Sequence, residues 1–277
     1  MPQVSVVIPV YRVEQYIERC AVSLFSQTLE DMEFIFIDDC SPDRSMEILR
    51  NVLSRFPARI PQTRLEAMPV NSGLAAVRKK GLGLASGDCV ITCDSDDYVD
   101  SEMYGTLYRT LLRTGADLVQ CDIEVRDGDR TVRTLTAPPG EPDSEHLRYG
   151  ILSGAISNSV CNKLVRRELY QRPGFLFPAG DLDEDNVMSV QLACYARKLA
   201  YVRKPFYKAC RNPESVTHRR GKEQKRKRLQ ASLANSRIIT GFLRTQGYGP
   251  FSQPVVKARM RPAALWLREF LRGLHSR

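Results

Sequence analysis

Four aspartates lie close together in CVITCDSDDYVD, residues 89–100, and they could bind a metal ion. They are Asp94, Asp96, Asp97 and Asp100, in a chain of 277 residues whose formal net charge is +9. Carboxylates this close repel one another unless water or a cation screens them. In extended chain the side chains of Asp94 and Asp96 would point to the same side and could hold one ligand. Oxygen ligands suit Mg²⁺ or Mn²⁺, which keep positions open for phosphate oxygens.

A purely structural role is the alternative for part of this stretch. A helix is predicted from about residue 101, and aspartate is a good residue for the start of a helix. Asp97 or Asp100 would then only cap that helix. The spacing of the aspartates alone leaves both interpretations open.

Three apolar runs indicate the elements that position these residues. The runs VSVVIPV (4–10), EFIFIDD (33–39) and CVITCD (89–94) hardly alternate with polar residues, which is typical of buried parallel strands. Helical periodicity fills the gaps between them. The three apolar faces are Ile17, Cys20, Ala21, Leu24 and Phe25; Met46, Leu49, Val52, Leu53 and Phe56; and Leu74, Val77, Gly81, Leu84 and Ala85. The alternation predicts an α/β fold with a mostly parallel sheet and right-handed crossovers.

Two local expectations follow from this pattern. Ser41 and Pro42 are suited to the N-cap and the first turn of the second helix. Ligands of such sheets bind beyond the carboxyl ends of the strands, so the residues that follow each run are the informative ones. They are Pro9-Val10-Tyr11, Asp38-Asp39-Cys40-Ser41 and Asp94-Ser95-Asp96-Asp97. Two acidic ends on neighbouring strands indicate a binding site.

The residues after the first two strands allow more than one role. Asp38 and Asp39 could form a second metal pair, or accept from the N–H of a pyrimidine ring or from ribose hydroxyls. Tyr11 could stack on that ring, or be an aromatic residue at the rim with no ligand.

The second half of the chain is less regular. ADLVQCDIEV (116–125) predicts a strand, RDGDR (126–130) a turn, and further helices are expected from about 144 and around Val187, Val190 and Cys194. A linker is expected near 211–225. The tail 255–277 is expected to form a basic amphipathic helix, with Leu265, Trp266, Phe270, Leu271 and Leu274 opposite Arg268 and Arg272.

Composition limits the class of protein. Lysine and arginine number 41 against 32 acidic residues, which points to an anionic partner. The eight cysteines are spread singly, which argues against a zinc site and a disulfide scaffold and favours a reducing compartment. The sequence shows no secretory signal pattern and no apolar run of about 20 residues. The expected location is therefore the cytoplasm, either free or at the inner face of the membrane.

Several ordered motifs give the chain a family resemblance over about residues 3–218. They are VSVVIPVYRVEQYIERCAVSLFSQT, EFIFIDDCSPD, NSGLAAVRKKGL followed by ASGDCVITCDSDD, CNKLVRRELY and FPAGDLDEDNVMSVQL. The chain resembles the family 2 glycosyltransferases of the GT-A fold, which are inverting enzymes that use nucleotide-sugar donors. The resemblance implies a GT-A type, Rossmann-like sheet flanked by helices.

The resemblance also implies roles for individual residues. Tyr11, Asp38 and Asp39 would hold the nucleoside, with Asp39 at the base edge, and Asp94 would contact the ribose. Asp96 would ligate a divalent cation, Mn²⁺ or Mg²⁺. Asp185 would be the catalytic base, with Glu184 as the first candidate to replace it. The remaining implied residues are Pro9, Arg78 and Ser95 near the nucleotide, and Arg211 and His218 at the diphosphate or metal.

Departures from the family pattern leave the donor sugar open. Cys40 stands where glycine usually follows the two aspartates, and Arg12 replaces a frequent asparagine. Val77 and Lys79 replace the alanine and asparagine that flank Arg78. None of these changes removes a carboxylate.

The expected function is therefore a metal-dependent glycosyltransferase. It would move a sugar from a nucleotide donor, by resemblance a UDP-sugar, to a saccharide or lipid-linked acceptor. The GT-A domain would span 1–218, with a nucleotide-binding half to about 100 and an acceptor half beyond. Residues 219–277 would form a basic helical extension suited to peripheral membrane contact.

Three other classes remain as alternatives. A glycoside hydrolase also uses paired carboxylates but needs no nucleotide. A nucleotidylyltransferase would show a Gly-rich basic loop after the first strand, which IPVYRVEQY does not supply. A basic protein without catalysis could bind a membrane or a polyanion through HRRGKEQKRKR (218–228). That segment has no aromatic residues between its basic ones that would stack on bases, which argues against nucleic acid as the partner.

Overall fold

The computed structural model describes residues 1–140, 142–178, 180, 184–212 and 222–274 of the chain, and only the backbone of residues 222, 224 and 266–274. These residues form an α/β structure around one mixed sheet. No helix in the described ranges has a stretch long and apolar enough to cross a membrane.

The first part of the sheet is parallel. Its strands are β1 (Val4–Val10), β2 (Met32–Asp38), β3 (Thr63–Ala67) and β4 (Cys89–Thr92). They lie in the order β3-β2-β1-β4, and every neighbouring pair is parallel. The strands predicted from the three apolar runs are confirmed, and β3 is an additional edge strand.

Three helices connect these strands: α1 (Ile17–Phe25), α2 (Ser45–Ser54) and α3 (Leu74–Leu84). The face predicted for α1 is buried throughout, and the faces predicted for α2 and α3 are buried or half-buried. The expected start of α2 is wrong. Ser41 and Pro42 precede the helix, which begins at Ser45. The Asp43 carboxylate accepts hydrogen bonds from the main-chain N–H of Ser45 and from the hydroxyls of Ser41 and Ser45.

The later part of the sheet mixes directions. It contains β5 (Tyr98–Val99), β6 (Leu118–Asp127), β7 (Arg130–Leu135), β8 (Lys163–Arg166) and β9 (Leu199–Cys210). The order continues from β4 as β8-β6-β9-β5, with β7 in a hairpin against β6. Only the β6–β9 pair is parallel here. The helices are α4 (Met103–Thr114), α5 (Ser144–Ser153) and α6 (Glu184–Tyr195).

The basic C-terminal region is a pair of helices packed onto this core. They are α7 (Lys222–Thr245) and α8 (Gln253–Leu274). Phe242 of α7 packs edge-on against Tyr195 of α6, with ring centroids 5.3 Å apart, and Val255 of α8 is buried. The expected linker is wrong for residues 222–225, which are helical, and residues 213–221 lie outside the described residues. The amphipathic side chains expected at 266–274 also lie outside them.

Helix α3 approaches β1 more closely than any side chain would allow. A methyl group at Gly81 would lie 2.3 Å from Val7 Cγ1 and 3.0 Å from Ile37 Cδ1. In the same helix, an added Cβ at Gly83 would meet nothing within 4 Å. Gly81 therefore sets the height of α3 above the sheet.

We expect these two glycines to respond oppositely to alanine. Gly81→Ala should lower the free energy of unfolding by about 1–3 kcal/mol, because the methyl group overpacks the contact with β1. Gly83→Ala should raise it by about 0.5–1 kcal/mol, because alanine has the higher helix propensity. Urea denaturation of both variants is the measurement, and a Gly81→Ala variant as stable as Gly83→Ala would contradict the close approach.

Candidate active site

The carboxyl ends of three parallel strands meet at one edge of the sheet. They carry Tyr11 after β1, Asp38 and Asp39 at the end of β2, and the segment 94–97 after β4. Strand β1 lies between β2 and β4. The expectation that the acidic strand ends belong to neighbouring strands is therefore wrong, and one strand separates them.

The aspartates after β2 are held by main-chain donors. Asp39 is buried, and its Oδ1 accepts from the N–H of Ser72 at 2.7 Å while its Oδ2 accepts from the N–H of Gly73 at 2.9 Å. Asp38 Oδ1 accepts from the N–H of Ser41 at 2.7 Å. Asp39 thus fixes the loop that begins α3. Its predicted contact with a nucleobase remains a prediction.

Two non-glycine residues beside these strand ends have left-handed backbone. They are Arg12, with φ 53°, and Cys40, with φ 57°. Glycine adopts this region without steric cost, and asparagine tolerates it better than most residues. The resemblance described above implies asparagine at the position of Arg12 and glycine at that of Cys40. Arg12 and Cys40 therefore depart from the family pattern at positions whose left-handed backbone favours asparagine or glycine.

The acidic segment after β4 is a turn rather than extended chain. The N–H of Asp97 donates to the carbonyl oxygen of Asp94 at 3.1 Å. The extended-chain reason for pairing Asp94 with Asp96 is therefore wrong. The two carboxyl groups nevertheless interact. Burial raises the pKa of Asp96, and the charge of Asp94 raises it further.

Asp97 anchors the turn to β9. Its buried carboxylate accepts from the Tyr207 hydroxyl at 2.6 Å and from the N–H of Cys210 at 2.7 Å. Burial raises the pKa of Asp97 well above its usual value. Asp97 does not cap a helix, as one interpretation of the sequence allowed. Asp100 lies at the start of α4, where its Oδ1 accepts from the N–H of Glu102 at 3.3 Å.

Arg78 of α3 is fully buried and joins carboxylates from two other parts of the chain. Its Nη2 lies 2.7 Å from Asp94 Oδ1. Its Nη1 lies 2.8 Å from Glu184 Oε1 and 2.6 Å from Asp185 Oδ1, in the first turn of α6. We call Arg78, Asp94, Glu184 and Asp185 the Arg78 cluster. It brings the predicted base residues beside the acidic turn.

Proton affinities in the Arg78 cluster follow from burial and charge. One guanidinium faces three carboxyl groups, so the negative charges are only partly neutralised. Burial and the neighbouring Asp185 raise the pKa of Glu184 to about 8. Burial also raises the pKa of Asp185, whose side chain is 27% exposed, while Arg78 opposes that rise. Glu184 therefore keeps its proton at neutral pH, and Asp185 is the better candidate base.

Other predicted site residues have different surroundings. Ser95 is buried within the turn. Arg211 is exposed, and its Nη1 pairs with Asp127 Oδ2 at 2.9 Å. The neighbouring Asn212 contacts the turn instead, with its Nδ2 3.0 Å from Asp96 Oδ2. No spacing in the sequence singled out Asn212. His218 lies outside the described residues.

The acidic turn fits a hard cation that takes few protein ligands. The described residues contain no group of three or more potential ligands of the His, Cys, Asp or Glu type. Burial and the charge of Asp94 raise the pKa of Asp96, which makes Asp96 a favourable place for a cation, and phosphate oxygens and water can complete its coordination. Asp96 could hold such a cation, beside the Asp94 carboxylate, whose Oδ1 pairs with Arg78.

Comparison with known proteins gives the family. Residues 5–172 match the family model described as glycosyl transferase family 2. An uncharacterized glycosyltransferase of Bacillus subtilis strain 168, EpsJ, is 32% identical over 247 residues, which cover 84% of this chain and 70% of EpsJ. The poly(ribitol-phosphate) beta-glucosyltransferase of Bacillus spizizenii strain W23 is 39% identical over 201 residues, which are 72% of this chain and 30% of that protein.

Solved structures share the fold. Staphylococcus aureus TarS 1–349, in complex with UDP-GlcNAc, superposes with a TM-score of 0.67 at 21% identity, over 97% of this chain and 79% of that chain. The mannosyltransferase PcManGT of Pyrobaculum calidifontis, in complex with GDP-Man and Mn²⁺, gives a TM-score of 0.62 at 17% identity, over 94% and 70%. The predicted α/β fold of GT-A type is confirmed.

These matches decide between the classes that the sequence left open. The family model covers more than half of the chain, and the relatives are glycosyltransferases rather than hydrolases or non-catalytic binding proteins. The chain belongs to glycosyl transferase family 2 and is a glycosyltransferase.

Proposed function

We propose that this glycosyltransferase moves a sugar, with inversion at the anomeric carbon, from a UDP-sugar to a saccharide or lipid-linked saccharide acceptor, and that a divalent cation takes part. The observation that carries the proposal is the Arg78 cluster. One buried guanidinium contacts Asp94, which we propose touches the donor, and Asp185, which we propose is the base. The bound UDP-GlcNAc of TarS and the GDP-Man and Mn²⁺ of PcManGT support a nucleotide donor and a cation.

The donor side of the proposal uses the strand ends. Tyr11 is partly exposed beyond β1, with the Arg12 guanidinium 5.4 Å from its ring centroid, and its ring would stack on the base, whose edge would meet Asp38 or Asp39. Asp94 would accept from ribose hydroxyls through the oxygen that Arg78 leaves free. A cation held by Asp96, when bound, would stabilise the negative charge that grows on the departing diphosphate.

Asp185 performs the proton transfer in this mechanism. The acceptor hydroxyl attacks the anomeric carbon from the face opposite the nucleoside diphosphate, and its proton passes to Asp185. Arg78 holds Asp185 Oδ1 at 2.6 Å and so orients the carboxylate while Oδ2 remains for the acceptor. The raised pKa of Asp185 brings it nearer to the value of an effective general base at neutral pH.

We expect Asp185→Asn to separate donor binding from catalysis. UDP release from UDP-GlcNAc or UDP-glucose should fall at least about a hundredfold, because the amide cannot accept the proton. Binding should remain. UDP at a hundred times its dissociation constant should still stabilise the variant by about 2.7 kcal/mol in thermal unfolding with Mn²⁺ present.

Two further variants control this experiment. Asp127→Asn changes an exposed carboxylate that pairs with Arg211 and should leave UDP release unchanged. Asp96→Ala should remove the part of the UDP-induced stabilisation that depends on Mn²⁺. UDP release by Asp185→Asn at the wild-type rate would rule out its role as base, and stabilisation by UDP that does not depend on Mn²⁺ would rule out the cation.

We also propose that residues 1–218 are the catalytic domain and that the extension 219–277 contacts an anionic membrane. The α7–α8 connection exposes Phe251 at 89%, and the first turns of α8 expose Met260 at 59%. Lys257 and Arg259 lie on the same stretch and are exposed. Apolar side chains beside basic ones are suited to a surface of anionic lipid.

Substitution of the two apolar residues tests the membrane proposal. We expect the double variant Phe251→Ser/Met260→Ser to bind phosphatidylserine vesicles at least about fivefold more weakly in sedimentation, because each side chain loses its burial in the lipid interface. Ile60→Ser, at an exposed position before β3, is the matched control and should bind as wild type does. Equal binding by all three proteins, or binding insensitive to salt, would contradict the proposal.

A further inference from the structure

Lys163, at the start of β8, is a fully buried amine outside the Arg78 cluster. Its Nζ donates to the main-chain oxygen of Ser157 at 2.7 Å, to that of Ser159, and to Asn162 Oδ1 at 3.3 Å. Within the described residues, all of these hydrogen-bond partners are neutral. A buried cation without a hydrogen-bonded carboxylate is rare, because desolvation opposes the charge.

This arrangement opposes folding at neutral pH. Burial lowers the pKa of Lys163 from 10.5 to about 7. The unfolded chain therefore binds the proton more tightly than the folded one, and stability rises as the pH increases from about 7 toward 10.5. An apolar residue at this position would avoid that cost.

The loop that Lys163 holds, residues 157–161, packs against the beginning of α6. The Ser189 hydroxyl donates to the carbonyl oxygen of Asn158 at 2.6 Å, and the Asn158 side-chain amide donates to Asn186 Oδ1. Asn186 directly follows Asp185. Lys163 therefore fixes, through one loop, the helical turn that carries the proposed base.

Lys163 also acts on Asp185 through its charge. The positive charges of Arg78 and Lys163 both oppose the rise in the pKa of Asp185 that burial causes. The groups that face Asp185 are Arg78 of α3, Asp94 after β4, Glu184 of α6, Lys163 of β8, and Cys161 and Tyr170 near it. Those that face Lys163 are Asp185, Cys121 of β6 and Cys161.

We propose that Lys163 is a positioning residue for Asp185: it holds loop 157–161 against α6, and it places a titratable positive charge in the buried surroundings of the Asp185 carboxylate. The inference rests on the proposed role of Asp185 as the base. Under this inference Lys163 does not contact the substrate. It acts by setting the orientation and the proton affinity of Asp185.

The pH dependence of UDP release from UDP-GlcNAc or UDP-glucose tests this. In wild type, Lys163 is charged below about pH 7 and neutral well above it. We expect Lys163→Met to reduce kcat at least about tenfold at pH 6, where the lost charge leaves Asp185 protonated more often, and less than about threefold at pH 9. Lys163→Gln keeps a donor for the loop carbonyls and should show the same pH-dependent loss, even if Lys163→Met folds poorly.

Gln120 of β6 is the matched control. It pairs with Lys163 across the strands, and its Nε2 donates to the same Ser157 oxygen at 3.2 Å without carrying charge. Gln120→Met should therefore change kcat by the same factor at pH 6 and pH 9.

Two results would overturn the inference. One is a loss in the Lys163 variants that is equal at both pH values, which a merely structural role would give. The other is no loss at all. Failure of the proposed function is measured separately, because Asp185→Asn would then release UDP at the wild-type rate.

Discussion

The candidate site depends on the ion pairs that the buried guanidinium of Arg78 makes. The guanidinium contacts Asp94 at the end of the parallel half of the sheet, and Glu184 and Asp185 at the start of α6, at 2.6–2.8 Å. A buried charge is tolerated only when its partners are close and well oriented, and loss of one partner leaves the others uncompensated. The position of Arg78 depends in turn on α3, which Gly81 allows to lie directly on β1.

A second set of contacts ties the acidic turn to the mixed half of the sheet. Asp97 accepts from Tyr207 and from the N–H of Cys210 on β9, and Asn212 reaches Asp96. The turn is therefore held from both sides, by Arg78 and by β9. This explains how four aspartates can lie so close together: Arg78 pairs with Asp94, buried hydrogen bonds hold Asp97, Asp96 has a raised pKa, and Asp100 accepts a hydrogen bond at the start of α4.

Much of the fold could be predicted because burial leaves a pattern in the sequence. Strands β1, β2 and β4 are buried on both faces and show nearly continuous apolar runs. Strand β3, with sequence TRLEA, is a largely exposed edge strand without such a run, so periodicity could not reveal it. The start of α2 was misplaced because Ser41 looked like a cap, whereas the helix begins at Ser45, whose N–H donates to the Asp43 carboxylate.

The site could be predicted only in part. The acidic strand ends follow from sheet topology, and the proposed role of Asp185 as the base rests on the family resemblance. The contacts of Arg78 with residues 106 and 107 positions away could not be predicted, because they depend on tertiary packing. The contacts of Asp97, Asn212 and Lys163 could not be predicted for the same reason: each residue acts through a partner that is distant in sequence or through a local turn.

The central claim is that Asp94 and Asp185 share one guanidinium, and a double-mutant cycle tests it most directly. The free energies of unfolding of Asp94→Asn, Asp185→Asn and the double variant would be measured by urea denaturation at pH 7. Because both side chains bind Arg78, the account predicts that the two effects deviate from additivity by more than about 1 kcal/mol. Additivity within about 0.5 kcal/mol would show that the two residues act independently and would contradict the account.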